Sequence, residues 1–346
     1  MRVLVILLLL SAFLKGQSQG DLTIRISVKV FLNPITGEPA PAWSESKMDS
    51  LIDQMNLMLS GYGRGMRLEN EGYFYLGGVG DSLSILNYDV PFGRVREYVE
   101  DTGEAFPDSL QWRDDHINIY MTRRSRGSLL AGACSFPTFI RDEAVTIAIN
   151  GGFTAPTILH ELGHFFDLRH THEGSVDSTA TPGNQDDVSD TLADLRGWND
   201  YDDMADFHYG KPYLQCTADQ QQLIRNTFDN VMSYHGDSTT VMTERQLDRF
   251  QQSIRDWQSR RDIISGIPYY VDDNDPTSCT LSGPGPCGCS GTPYVPYEAL
   301  DCAIDAVSSS GGDIIVVQPG IYEVEMKSLA KKVLITGTNG GTAILK

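Results

Sequence analysis

Four residues near the middle of the chain have the types and the spacing of a metal-dependent hydrolytic site. His160 and His164 are one helical turn apart, Glu161 directly follows the first of them, and His170 comes six residues after the second. Residues four apart lie on one face of an α-helix, so the two imidazoles can bind one metal ion. Glu161 lies beside that face, where its carboxylate can take a proton from water without binding the metal.

His170 can join the other two histidines only if the chain turns sharply after His164. Three neutral imidazoles and one water form an open catalytic zinc site, so the pattern predicts a zinc hydrolase. The alternative is an HExxH sequence that arose by chance on a surface helix. The position of His170 and the apolar character of the surrounding segment favour the zinc site. The apolar residues are Ile158, Leu159, Leu162, Phe165 and Phe166.

The residues before the motif predict a strand that leads into a helix. Residues 143–150 are a strong strand candidate, and Gly151 and Gly152 end it. Thr154 can cap the following helix, and Pro156 is tolerated in the first turn of that helix. This order predicts a mixed layout of α and β elements in which a sheet backs the helix.

Length, composition and periodicity set the broad organisation. A chain of 346 residues suits two domains, and its 40% hydrophobic content is enough for ordinary cores. The formal net charge of −19 argues against nucleic acid or an anionic membrane as a partner, because phosphate binding needs basic patches. Periodicity predicts strands at residues 22–32, 67–76 and 116–121, and helices at residues 44–59, 221–228 and 243–264.

Residues 1–20 predict a secretory signal peptide. Arg2 supplies a short positive segment, residues 3–14 form an apolar run, and residues 15–20 form a polar tail. The apolar run is too short to span a bilayer comfortably, which favours cleavage over anchoring. No later segment is long and apolar enough to cross a membrane, so we expect a secreted protein without a membrane span.

The six cysteines all lie beyond this segment, and an even number in an exported protein predicts disulfides. Cys134 and Cys216 are expected to pair with each other. A zinc ribbon is the alternative for the later cysteines, but Cys287 and Cys289 have only one residue between them. The later cysteines are therefore expected to form two bridges of open connectivity. They are Cys279, Cys287, Cys289 and Cys302.

Residues 173–206 form an acidic segment with the composition of a loop. Such a segment is usually a solvated surface loop, and this is one interpretation. The other is a structural calcium site, because hard cations bind several oxygen ligands from a folded loop. The first candidates for such a Ca²⁺ site are Asp186, Asp187 and Asp190.

The chain resembles the metzincin metalloproteases, most closely the pappalysin (cytophagalysin) branch. The resemblance rests on the three histidines with Asp167 between the second and the third, followed by the segment Asn-Val-Met-Ser-Tyr at residues 230–234. It implies an α+β fold of the metzincin type, with a twisted mixed sheet, backing and active-site helices, and a methionine turn. It also implies that Met232 supports the histidines without binding metal. Tyr234 is expected to bind zinc or to hydrogen-bond the tetrahedral intermediate.

Asp167 departs from the family pattern, which has glycine at this position. The chain turns there with backbone angles that glycine adopts at least cost. Aspartate is among the few other residues that visit left-handed geometry at a modest cost, so we expect Asp167 to make the turn. If it did not, the helix would continue, His170 would miss the metal, and His172 or an aspartate of the loop would have to replace it.

The predicted domains are the signal peptide at residues 1–20, a metzincin-like catalytic domain at 21–265, and a Cys/Gly/Pro-rich linker with a partial β-helix-like module at 266–346. The last segment has short β runs closed by Pro-Gly or Asn-Gly, which resemble the entry of a right-handed parallel β-helix. The expected function is a secreted zinc endopeptidase that cleaves proteins or peptides, with Glu161 as general base. The alternative is a catalytically degenerate zinc-site protein that acts as an extracellular binding or adhesion module through its C-terminal segment.

Overall fold

The chain divides into two compact units, one formed by Thr23–Ile264 and the other mainly by Ser265–Lys346. The assignment of residues 21–265 as a catalytic domain stays a prediction, and the predicted signal peptide lies outside the described residues. The computed structural model describes residues 22–89, 98–99, 107–123, 132–134, 144–148, 153–175, 182–183, 186–196, 198–235, 239–256, 263–265, 268–271, 300–307, 314–317, 320–322, 334–337 and 343–345.

A mixed six-stranded sheet forms the base of the first unit. Its strands are β1 (Leu22–Phe31), β2 (Met66–Leu76), β3 (Ile117–Thr122), β4 (Gly132–Cys134), β5 (Ala144–Ala148) and β6 (Ile264–Ser265). The lateral order is β2-β1-β3-β5-β4, and β6 pairs with β1. β1, β3 and β5 run parallel, whereas β4 runs antiparallel to β5. β1 and β3 are buried along almost their whole length, as is typical of parallel strands that are covered on both faces.

Seven helices belong to the described part of this unit. They are α1 (Glu45–Gly61), α2 (Ser82–Asn87), α3 (Pro107–Leu110), α4 (Ala155–Phe165), α5 (Tyr201–Tyr209), α6 (Ala218–Phe228) and α7 (Glu244–Asp256). α1 packs against β2 and α4. The sheet and the helices together confirm the predicted α+β class. Among the described helices, none combines the length and the apolar character needed to cross a membrane.

The end of α7 differs from the prediction of a helix over residues 243–264. Its described part ends at Asp256, and Ile264 belongs to strand β6. Ile263 is fully buried, and its carbonyl accepts a hydrogen bond of 3.0 Å from the backbone N–H of Arg25. Pairing with β1 therefore takes these apolar residues out of the helix.

The described part of the second unit contains short parallel strands and one helix. The strands are β7 (Pro268–Val271), β8 (Ile314–Val317), β9 (Gly320–Tyr322), β10 (Leu334–Gly337) and β11 (Ala343–Leu345), and the helix is α8 (Leu300–Ala306). β8 pairs in parallel with both β7 and β10, and β9 pairs in parallel with β11. Parallel stacking of successive short strands is the arrangement expected for coils of a β-helix. The assignment as a β-helix module stays a prediction.

The cysteines are arranged differently from the prediction in one respect. Cys134 and Cys216 are both buried but are not bridged to each other. Cys134 lies on β4 in the central sheet, whereas Cys216 packs with Met204 and Ile224 and its thiol lies 3.7 Å from the Pro212 carbonyl oxygen. The two therefore belong to different parts of the core. In the second unit, Cys302 is disulfide-bonded, and Cys279, Cys287 and Cys289 lie outside the described residues.

Candidate metal centre and active site

Helix α4 begins directly after Thr154, and its first residues favour a helix start at this position. The Thr154 side chain accepts a hydrogen bond of 3.3 Å from the backbone N–H of Thr157, and Pro156 lies in the first turn, where its missing N–H costs nothing. The helix then runs through the HExxH motif. The rings of His160 and His164 lie on one face with their centroids 4.7 Å apart, and both side chains are buried.

The helix ends in a left-handed turn at Asp167, whose φ is +68°. The backbone N–H of Asp167 donates to the carbonyl of His164 at 3.0 Å, and the N–H of Leu168 donates to the carbonyl of Gly163 at 2.8 Å. This pair of hydrogen bonds is the Schellman motif, in which glycine is the usual left-handed residue. Asp167 takes that place here, and the chain reverses so that His170 returns to the helix.

Arg249 of helix α7 holds the turn from outside. Its Nε donates to the backbone carbonyl of Asp167 at 2.6 Å, and its guanidinium forms an ion pair with the Asp167 carboxylate at 2.9 Å. A glycine could not supply this carboxylate. The ion pair therefore offsets part of the strain of a left-handed aspartate.

The three histidines converge on one point. One ring nitrogen from each of His160, His164 and His170 lies within 4.8 Å of the others, and the Nε2 atoms of His164 and His170 are 3.1 Å apart. The Nδ1–H of His160 donates to the Val231 carbonyl, and the Nδ1–H of His164 donates to the Leu168 carbonyl, both at 2.7 Å. A carbonyl can only accept, so each Nε2 carries the lone pair.

This donor set fits zinc, which binds three imidazole nitrogens in hydrolytic sites. In the described part of the chain, it is the single cluster of three or more histidine, cysteine or acidic side chains that could hold a metal ion. Burial lowers the pKa of His160 to about 3 and that of His164 to about 4, with neighbouring imidazoles acting in the same direction. The pKa of His170 is lowered for the same reasons. All three are therefore neutral at physiological pH, as metal ligands must be.

The segment 230–234 passes beneath the triad. Met232 is fully buried, and a Cβ added to Gly163 would lie 2.5 Å from its sulfur, so α4 can approach this methionine only because residue 163 is glycine. The Met232 carbonyl accepts a hydrogen bond of 3.2 Å from the backbone N–H of Thr171. Two hydrogen bonds between the buried side chains of Asn230 and Gln246 anchor the segment to α7.

Tyr234 lies beside the histidines and is partly open to solvent, with 38% of its surface exposed. Its ring centroid is 4.7 Å from that of His170 and 5.6 Å from that of His160. Burial and the negative charge of Glu161 raise the pKa of Tyr234. The phenol is therefore protonated at neutral pH and can donate a hydrogen bond towards the centre of the triad.

Glu161 is buried next to strand β4, with 6% of its surface exposed. A Cβ added to Gly132 would lie 2.6 Å from both Cγ and Oε1 of Glu161. The carboxylate thus fits between α4 and the sheet because Gly132 has no side chain. Sequence reasoning missed this glycine, because nothing local indicates which side chain will lie against it.

We expect Gly132→Ala to lower kcat about a hundredfold, because a displacement of about 1 Å in a reacting group can cost that much. The protein should still fold, since the atoms that must shift belong to one side chain and not to the backbone. Initial rates and circular dichroism of the purified variant test this. Gly61→Ala is a matched control, because nothing lies within 4 Å of a Cβ added there. Wild-type kcat in Gly132→Ala would refute the displacement of Glu161.

The calcium prediction is not supported. Asp186, Asp187 and Asp190 direct their carboxylates to separate partners in the protein, and the metal cluster found among the described residues does not include them. The partners are Thr191 for Asp186, Arg169 for Asp187 and Thr243 for Asp190. A loop whose acidic groups are already paired has lost the shared set of oxygen ligands that calcium requires.

Sequence reasoning also missed a fully buried polar cluster at the edge of the site. The Asp194 carboxylate lies 2.7 Å from Nε2 of His235 and accepts a hydrogen bond of 2.5 Å from the Thr171 hydroxyl. The side chains of Asp194 and His235 have no solvent exposure. In sequence, Asp194 is one of many acidic residues in its loop. The position of His235 directly after Tyr234 was the one available signal.

Comparison with known proteins finds a match to one peptidase family over part of the chain. Residues 116–255 match the model of the peptidase M43 family, described as pregnancy-associated plasma protein-A. A solved structure of Tannerella forsythia mature mirolysin in complex with a cleaved peptide is 16% identical, has a TM-score of 0.41, and aligns over 70% of this chain and 94% of that chain. A solved chaperone–substrate complex is 16% identical, with a TM-score of 0.32 over 44% of this chain and 24% of that chain. Both TM-scores are too low to establish a shared fold, and no curated protein matches the chain.

The M43 match runs from the start of strand β3 to helix α7, so it includes the HExxH helix, the turn at Asp167 and the segment around Met232. These are the segments that the fold brings together around the three histidines. The family match over these residues and the geometry of the three histidines together support an M43-like metzincin metalloprotease.

Proposed function

We propose that the chain is a secreted zinc endopeptidase that hydrolyses peptide bonds in proteins or peptides, with Glu161 as general base. The observation that carries the proposal is the convergence of three neutral imidazoles beside a buried glutamate. Secretion rests on the sequence of residues 1–20 alone. An exported protein that retains Met1 would contradict cleavage of that segment.

Each catalytic group has a role that follows from its position. His160, His164 and His170 would hold the zinc ion, which would supply Lewis acidity for polarising a scissile carbonyl and for acidifying water. Glu161 accepts a proton from the attacking water and delivers it to the leaving amine. Its burial and its packing against Gly132 fix the position of the carboxylate that transfers this proton.

Tyr234 acts on the carbonyl oxygen of the substrate. Its phenol is protonated at neutral pH, because burial and the charge of Glu161 both raise its pKa. Negative charge develops on the carbonyl oxygen as water adds, and a hydrogen bond from the phenol stabilises that charge. The partial exposure of Tyr234 leaves room for a substrate to reach it.

Metal removal and replacement test this function. We expect a purified sample to contain one zinc per chain, to lose all cleavage of an unstructured protein after chelation, and to regain it when zinc is added back. Mass spectrometry of the products should show internal cleavage rather than removal of terminal residues. Cleavage that survives complete zinc removal would contradict the proposal. A protein that binds zinc tightly but cleaves no unstructured substrate would instead favour the binding-module alternative.

A further inference from the structure

Arg196 lies next to the candidate active site, beside Tyr234. Arg196 ends the described loop of residues 186–196, and its side chain is exposed. Its guanidinium carbon lies 4.7 Å from the centroid of the Tyr234 ring. Arginine stacks readily on aromatic rings, and a guanidinium held flat on a ring keeps its N–H groups at the edge available for hydrogen bonds.

The positive charge of Arg196 is not neutralised locally. Within the described part of the chain, no carboxylate forms an ion pair with it, although the chain as a whole has a net charge of −19. The nearby carboxylates have other positions: Glu173 lies 3.6 Å from Nδ1 of His170, and Glu161 is buried against the sheet. The remaining arginines near the site, Arg169 and Arg249, both pair with Asp187.

The charge of Arg196 reaches the reacting groups. The guanidinium carbon of Arg196 lies 4.7 Å from the ring centroid of Tyr234, and that centroid lies 4.7 Å from the ring centroid of His170. A substrate bound between the triad and Tyr234 therefore lies within the electrostatic range of this guanidinium. A carboxylate on that substrate would supply the bidentate acceptor that a guanidinium binds best.

We propose that Arg196 is a substrate-binding residue that favours peptides carrying a carboxylate close to the scissile bond. The carboxylate belongs to an aspartate or glutamate side chain of the peptide, because the proposed function is internal cleavage. This inference rests on the proposed peptidase function. Because the guanidinium is held on the ring of Tyr234, a bound carboxylate would also draw the substrate towards that phenol.

Peptide sets that differ in charge at one position test the preference. For wild-type protein, we expect kcat/KM to be at least tenfold higher for a peptide with glutamate near the cleaved bond than for the same peptide with glutamine. Arg196→Ala should reduce this ratio to about one. Arg196→Glu should instead favour the same peptide with lysine at that position over the glutamate peptide. Amidating the C-terminus of each peptide is the control for the terminal carboxylate. The glutamate preference should persist on amidation, and its disappearance would overturn the assignment to the side chain.

Binding gives a readout that is independent of turnover. The acidic peptide should bind zinc-loaded Glu161→Gln at least tenfold more tightly than it binds the double variant Glu161→Gln/Arg196→Ala. Arg245→Ala is the matched control, since Arg245 is an exposed arginine on α7 that pairs with Asp248. If wild-type protein cleaves no peptide, the proposed function fails. If it cleaves glutamate and glutamine peptides equally, or if Arg196→Ala keeps the preference, only the assignment of Arg196 fails.

Discussion

Replacing Glu161 with glutamine is expected to lower kcat about a thousandfold while zinc stays bound. Glutamine has nearly the same shape, so it can keep the packing of Glu161 against Gly132. Its amide cannot accept a proton from water, and removal of a positioned general base typically costs two to four orders of magnitude. The three histidines and the carbonyls that orient them are untouched, so the metal site should keep its affinity.

Three measurements on one preparation test this expectation: kcat on an unstructured protein, zinc content, and thermal unfolding. Glu69→Gln on strand β2 is a suitable control, because that glutamate is half exposed and pairs only with Arg67 among the ion pairs described. It should leave both kcat and zinc content unchanged. A Glu161→Gln protein that carries zinc and turns over at the wild-type rate would exclude Glu161 as the base. Loss of zinc in the same variant would instead assign Glu161 a role in metal binding.

The local part of the site could be predicted from the sequence, because its geometry follows from short-range rules. Helical spacing alone brings His160 and His164 to one face. The turn that returns His170 needed only the known ability of aspartate to adopt left-handed angles, and Asp167 has a φ of +68°. Strands β1 and β3 were equally accessible, since β1 alternates apolar and polar residues and β3 is a short, mostly apolar segment.

The other features of the site could not be predicted, because they depend on contacts between segments that are distant in sequence. Gly132 lies against Glu161, and Arg249 lies against Asp167, yet no local pattern links either pair. The calcium hypothesis counted acidic residues, whereas the fold pairs each of them with a separate hydroxyl or arginine. Pairing Cys134 with Cys216 failed for a related reason. An even cysteine count indicates that bridges form, but it does not indicate which side chains the fold brings together.

Replacing Asp194 with alanine is expected to lower the free energy of unfolding by about 2 to 5 kcal/mol, because a buried donor that loses its acceptor costs about 1 to 3 kcal/mol and two donors lose theirs. The variant leaves the buried imidazole of His235 without its acceptor and also removes the acceptor of the Thr171 hydroxyl. Neither the imidazole nor the hydroxyl can form a replacement hydrogen bond with water, because the side chains in this cluster have no solvent exposure. Chemical denaturation measures the change. Asp248→Ala is the control, because Asp248 forms half-exposed ion pairs that contribute at most about 1 kcal/mol.

A second variant separates two contributions to the loss of stability: the cost of unpaired buried polar groups and the cost of lost packing. In Asp194→Leu/His235→Phe, both partners become apolar, so we expect the free energy of unfolding to recover by about half or more relative to Asp194→Ala. A change within about 0.5 kcal/mol of wild type for Asp194→Ala would show that the pair carries no stability.

The cluster also joins the two segments that flank the chemistry, since Thr171 directly follows His170 and His235 directly follows Tyr234. Its loss should therefore weaken zinc affinity and lower kcat even at temperatures where Asp194→Ala is fully folded. A purely structural role predicts normal zinc affinity and normal kcat in that folded fraction. The comparison decides whether Asp194 positions the third zinc ligand and the tyrosine or only stabilises the fold.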